Sequence, residues 1–112
     1  MSDKVTVKVL LNQTSRFMAY SAGDRLVQAL VFESGFPACG SVDRLLNIVF
    51  EQLNIDEPRA DWAIRYRVER NRSLSVGDVV VVGEQAWAVD SVGWTPVSVE
   101  AGQVWYDVGE LA

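Results

Sequence analysis

Residues 70–90 read RNRSLSVGDVVVVGEQAWAVD, and the fold turns on whether this stretch is a phosphate-binding loop or a corner that feeds a buried strand. Gly77 admits backbone conformations barred to residues with a Cβ, and Asp78 is placed to accept a hydrogen bond from a nearby backbone N–H, as in an Asx turn. Four β-branched residues, Val79 to Val82, follow, and such a run packs well in a strand covered on both faces. A phosphate cradle needs a glycine-rich loop that opens a helix, with a Lys-Ser/Thr pair after the glycine. Here a strand follows and the pair is missing. The stretch reads as a corner.

Working outward, VVVVG (79–83) and AWAVD (86–90) flank the short connection Gly83-Glu84-Gln85, which signals a hairpin. Beyond it, TPVSVE (95–100) and QVWYDV (103–108) suggest a final strand pair around Ala101-Gly102. Upstream, IRYRVER (64–70) alternates, with Ile64, Tyr66 and Val68 opposed to Arg65, Arg67 and Glu69, and is read as a strand. In SVDRLLNIVFEQLN (41–54), Val42, Leu45, Leu46, Val49, Phe50 and Leu53 form one apolar stripe. This predicts an amphipathic helix capped by Ser41, with Asp43 in its first turn and an end between Asn54 and Pro58.

Nearer the start, KVTVKVLL (4–11) has the period of two of a half-buried strand, NQTS (12–15) supplies a turn, and RFMAY (16–20) can return as a second strand. SAGD (21–24) is another turn. RLVQALVFES (25–34) suits either a helix capped by Asp24 or a strand; Val27, Val31, Phe32 and the short spacing from the preceding turn favour the strand. SGFPACG (34–40) is a loop. The expected architecture is a single α+β domain over 1–112: a curved, mainly antiparallel sheet of about six or seven strands with one helix packed on it.

The stretch YRVERNRSLSVGDVVVVG…AWAVDSVGW (66–94) resembles a pattern in small uncharacterised proteins of actinobacteria and their phages: Tyr-Arg, then Asn-Arg-Ser-Leu-Ser-Val-Gly-Asp-Val-Val, then Gly-Trp. It is similar, more distantly, to the YodL-like domain of conjugative elements. The resemblance covers about residues 27–95. It implies a phage or mobile-element accessory protein and names no site.

The chain has no histidine and one cysteine, which leaves too few parts for a catalytic triad or a zinc site, and no cofactor is expected. Cys39, in PACGS just before the predicted helix, is the remaining nucleophile candidate, but no base or cation is placed to activate it. Asp78 and Asp90, near two ends of one predicted hairpin, are read as turn residues rather than an acid/base pair. The expectation is therefore no enzyme. The longest apolar runs, VVVV and ALVF, are too short to span a bilayer, the N-terminus lacks a signal-peptide layout, and a reducing cytoplasm is the expected compartment.

Charge is unevenly distributed. Arg59, Arg65, Arg67, Arg70 and Arg72 fall within 14 residues, and no basic residue follows Arg72, while the tail third carries Glu84, Asp90, Glu100, Asp107 and Glu110 in a chain of net charge −5. Two partner surfaces follow. Arg65, Arg67, Arg70 and Arg72, with aromatic residues such as Trp94, suit nucleic acid. Glu84, Asp90 and Asp107 suit a basic surface on a host or phage protein. The acidic total and the opposed faces of Tyr66 and its arginine neighbours favour the protein partner. A homodimer formed by edge pairing of VTVKVLL is a further expectation.

Overall fold

The computed structural model describes residues 4–14, 18–35 and 42–105. It is an α+β fold in which a curled, six-stranded mixed sheet, a half-barrel, carries two helices. The strands are β1 (Lys4–Asn12), β2 (Leu26–Gly35), β3 (Val79–Val82), β4 (Gln85–Val89), β5 (Trp94–Val97) and β6 (Val104–Trp105), in the order β5-β4-β3-β1-β2-β6. Every pairing is antiparallel except β2 with β6, which is parallel. Helix α1 (Val42–Asn54) and helix α2 (Asp61–Val68) lie between β2 and β3 in the chain.

Alternation along the strands sorts side chains onto two apolar faces. Val7, Val9, Leu30, Phe32, Val80 and Val82 meet Leu45, Leu46, Val49 and Leu53 of α1 and Ala63 and Tyr66 of α2 in the main core. The other face buries Leu10, Leu26, Val79, Ala86 and Ala88 in a second cluster. Strand β3 sends alternate valines to each cluster, so its uninterrupted apolar run matches a strand enclosed on both sides.

The curl follows from connectivity. A flat six-stranded sheet would separate β5 from β6 by about 24 Å, at about 4.8 Å per strand. The link from Val97 to Val104 contains a 3-10 turn over Ala101–Gln103, and even with its other residues extended it reaches only about 19 Å. The outer strands must therefore approach one another. The link crosses the helix-free face as a chord and packs Val99 against it.

The strands expected at 4–11, 25–34, 79–83 and 86–90 and the helix at 42–54 are present. Residues 64–70, read as a strand, instead form most of α2 and its C-terminal cap. Alternation of Ile64, Tyr66 and Val68 misled because only Tyr66 is inside: Ile64 and Val68 are exposed. Among the described residues, segments 95–100 and 103–105 do not pair with each other; β5 pairs with β4 and β6 with β2. Strand β1 is central, hydrogen-bonded on both sides, so VTVKVLL offers no edge for dimerisation. Residues 18–20 are not strand, and residues 15–17, the Ser41 cap and residues 106–108 lie outside the described residues.

Helix α2 ends in a Schellman motif. Asn71 N–H donates to Tyr66 O and Arg70 N–H to Arg67 O at 2.9 Å, with Arg70 at φ 64 in the position usually held by glycine. An L-residue there costs about 1 kcal/mol. Arg70→Gly should therefore raise stability by about 1 kcal/mol, seen as a higher urea midpoint at unchanged slope, and Arg70→Val should lower it.

Candidate partner-binding surface

Helix α2 starts without a side-chain cap of its own. Gln52 of α1 supplies the acceptor instead: its Oε1 takes the N–H groups of Arg59 at 2.8 Å and Ala60 at 3.0 Å. Asp61 in the first turn and Arg65 and Arg67 in the last complement the helix dipole. Trp62 stacks on Phe32 of β2 with ring centroids 4.2 Å apart and planes 3° from parallel. Ala63 and Tyr66 are buried, and the Tyr66 hydroxyl donates to Arg72 O at 2.5 Å.

With Trp62, Ala63 and Tyr66 turned inward, the outward face of α2 carries Ile64, 43% exposed, and Val68, 72% exposed, one turn apart. Arg65 donates to Val31 O on β2 at 3.1 Å, and Arg67 donates to Ile55 O. Both keep exposed side chains, as do Arg59 and Arg70 in the flanking segments. Asp56, Glu57, Asp61 and Glu69 are exposed in the same segment, so its surface charge is balanced rather than basic.

Arg72 belongs to a different environment. Its guanidinium forks onto Asp78, Nη1 to Oδ2 at 2.7 Å and Nη2 to Oδ1 at 2.8 Å, and Nη2 also donates to Asn12 O at 3.1 Å. Asp78 is fully buried, and its carboxylate accepts two further backbone N–H bonds, from Asn12 and Ser75, each 2.8 Å. Hydrogen bonding to that carboxylate holds the Arg72 guanidinium above its ordinary pKa. Gly77 stands at φ 98 and sends its N–H to Val89 O at 3.0 Å. Residues 70–90 therefore form the expected corner, and the charge of Asp78 is met by the fold's own arginine.

Of the acidic candidates, Glu84 and Asp90 are not brought together. Glu84 sits in the β3–β4 turn and Asp90 at the far end of β4, about 20 Å apart along a strand of this length. Asp90 accepts from the Thr95 hydroxyl and the Ser91 N–H, both 2.8 Å, and the first of these chiefly lowers its pKa. Trp94 packs edge-on against Phe50 and donates Nε1–H to Asn47 Oδ1 at 3.1 Å, tying β5 to α1. Asp107 and Cys39 lie outside the described residues.

Ile64 and Val68 were missed as surface residues because a strand reading turns them inward. The available signals were Pro58 followed by first-turn Asp61 and last-turn arginines, the polarity of a helix. Among the described residues no cluster of three potential metal ligands occurs, and no helix is long and apolar enough to cross a membrane. Comparison with protein-family profiles, curated proteins and solved structures gives no match.

Asp78→Ala strands the Arg72 guanidinium and two backbone N–H groups, and should cost about 3–5 kcal/mol in chemical denaturation; Arg72→Lys, which cannot fork, should keep the charge but lose part of the wild-type stability. Burial, and then the Asp78 charge, push the Tyr66 hydroxyl pKa above its ordinary value of 10.0. The unfolded chain releases that proton first, so the contribution is complete below the ordinary value and is lost as pH rises above it. Tyr66→Phe should flatten the alkaline fall in unfolding free energy.

Proposed function

We propose that this domain is a protein-binding accessory module, not an enzyme, and that its contact surface is the outward face of α2. The observation that carries this reading is the exposure of Ile64 and Val68 on the side of α2 opposite its buried residues. Protein interfaces combine an apolar centre with a polar rim enriched in arginine. Arg65, Arg67 and Arg70 supply such a rim, and Arg65 is anchored beside β2 by its bond to the Val31 carbonyl at 3.1 Å.

The same surface argues against nucleic acid. Affinity for a phosphate backbone scales with the number of phosphates neutralised. Four exposed arginines here are interleaved with four exposed acids, and the most buried arginine of the segment, Arg72, is spent on Asp78. Mixed charge around an apolar pair suits a folded protein partner bearing both signs. Such a partner, met in the host cytoplasm, fits the phage or mobile-element origin that the sequence resemblance implies.

The test compares immobilised wild-type domain with the Ile64→Glu/Val68→Glu variant in host lysate, with circular dichroism as a control for folding. A protein held by the wild type should be retained about tenfold less by the variant. Equal retention by both would overturn the reading. A gel shift with duplex DNA at low salt, abolished by neutralising Arg59, Arg65, Arg67 and Arg70, would favour nucleic acid instead.

A further inference from the structure

The helix-free face of the sheet holds a cavity of about 470 Å³, within the range of small-molecule sites. We propose that it binds a small apolar molecule carrying a single carboxylate, with the Lys8 ammonium as the counter-charge. This is independent of the α2 surface.

The cavity floor follows from strand register. Val97 of β5 pairs with Ala86 of β4, Ala86 with Val81 of β3, and Val81 with Lys8 of β1. Residues directly opposite in a sheet share a face, so three small apolar side chains and one amine form a single transverse row. The alanine keeps this floor low. Val99 and Val104, from the chord and β6, add to the apolar side of the wall, and Gln85 and Ser98 give it a polar side.

The space is held open by bonds that owe nothing to a ligand. The Tyr20 hydroxyl donates to Ser98 O at 3.0 Å, and Gln103 Nε2 donates to Tyr20 Oη at 2.9 Å and to Asp24 O at 2.8 Å. Gln85 Nε2 reaches Val97 O at 3.3 Å. Tyr20 and Gln103 thus pin both ends of the chord to the loop before β2. A site formed in advance binds without the cost of ordering its walls.

Lys8 is an unusual residue for this place. It lies half-buried in mid-strand between Val31 and Val81. Among the described residues, no carboxylate lies within ion-pair distance of its ammonium and no hydrogen bond is made to it. Gln28 on β2, also lining the cavity, has an amide without a protein partner among the described residues. An ammonium and an amide beside an apolar wall are matched by a carboxylate on an apolar body.

Glu84 and Glu100 stand at the mouth, both exposed. Their charges disfavour phosphates and other multiply charged anions more than a single carboxylate. Glu33 of β2, exposed and opposite Thr6 on the Lys8 face of the sheet, is a third carboxylate that a rotamer change could bring to Lys8, so the test must distinguish a ligand-binding lysine from one paired at the rim.

Isothermal titration with octanoate and with 1-octanol, two probes of equal chain length, separates the contribution of the head group. Octanoate should bind about tenfold tighter, the effect of one charge-assisted contact. Lys8→Met should bring octanoate to the level of octanol. Ala86→Leu, which raises the floor, should weaken both, and methyl NMR shifts should concentrate on Val81, Ala86 and Val97. Equal binding of the two probes, octanoate affinity unchanged in Lys8→Met, shifts confined to α2, or no binding of either probe would each overturn the proposal.

Discussion

The fold depends on a buried carboxylate. Asp78 has no contact with solvent, and an ionised group there is tolerable only because every lone-pair direction is met. The groups that meet it come from two distant parts of the chain: Arg72 and Ser75 from its own corner, Asn12 from the end of β1. Asn12 in turn bonds Gly77 O and the Asp24 carboxylate, each at 3.0 Å, and Asp24 closes the turn that starts β2 by accepting from Ser21 N–H at 2.9 Å. One polar network thus staples β2, β1 and β3 at the same end of the sheet. A slip of one residue in β1 would exchange its two faces. It would also pull Asn12 away from Asp78, so the network and the apolar pattern enforce the same register.

Both helices are tied to that corner. Asn54, the last residue of α1, accepts from Leu74 N–H at 2.8 Å and donates to Leu74 O at 3.1 Å. From α2, Tyr66 reaches Arg72 O. Residues 72–78 therefore connect α1, α2, β1 and β3 within seven residues, and they do so with backbone groups that would otherwise be buried without partners. The charged pair is a costly way to gain stability compared with apolar packing. What it adds here is a directional constraint on the same arrangement that the apolar faces favour.

Much of this was legible in the sequence. The period of two in residues 4–11, the stripe of α1 and the valine run of β3 announce their structures because burial alone sets their patterns. Gly77 and Asp78 were readable as a corner for the same reason: a positive φ and an Asx acceptor are local requirements. The Arg72–Asp78 pairing was not, since nothing local distinguishes Arg72 from Arg70, and only the fold decides which of them turns inward. The chord was hidden for a related reason. Residues 95–105 look like a hairpin, but their partners, β4 and β2, are set by tertiary contacts. Helix α2 was misread because eight residues with apolar groups on both sides carry no clean period, and at that length tertiary anchors decide the conformation.

That absence of pattern bears on function. A surface helix that only covers a core turns mainly polar residues outward, as α1 does with Asp43, Arg44, Asn47 and Glu51 around one exposed apolar residue, Ile48. Helix α2 breaks this rule at Ile64 and Val68, and breaks another at Arg70, where glycine would be less strained. Departures from local consistency are expected where a sequence is answering to something other than folding. The three lie within seven residues of one another, and all are exposed. Lys8 keeps the period of two of β1, but the fold sets its amine between valines on the helix-free face and under the chord. The two sets lie on opposite faces of the sheet, α2 over the main core and the chord over the second cluster. A partner on α2 and a ligand beneath the chord would therefore act on a common scaffold without competing for surface, and substitutions at one need not disturb the other.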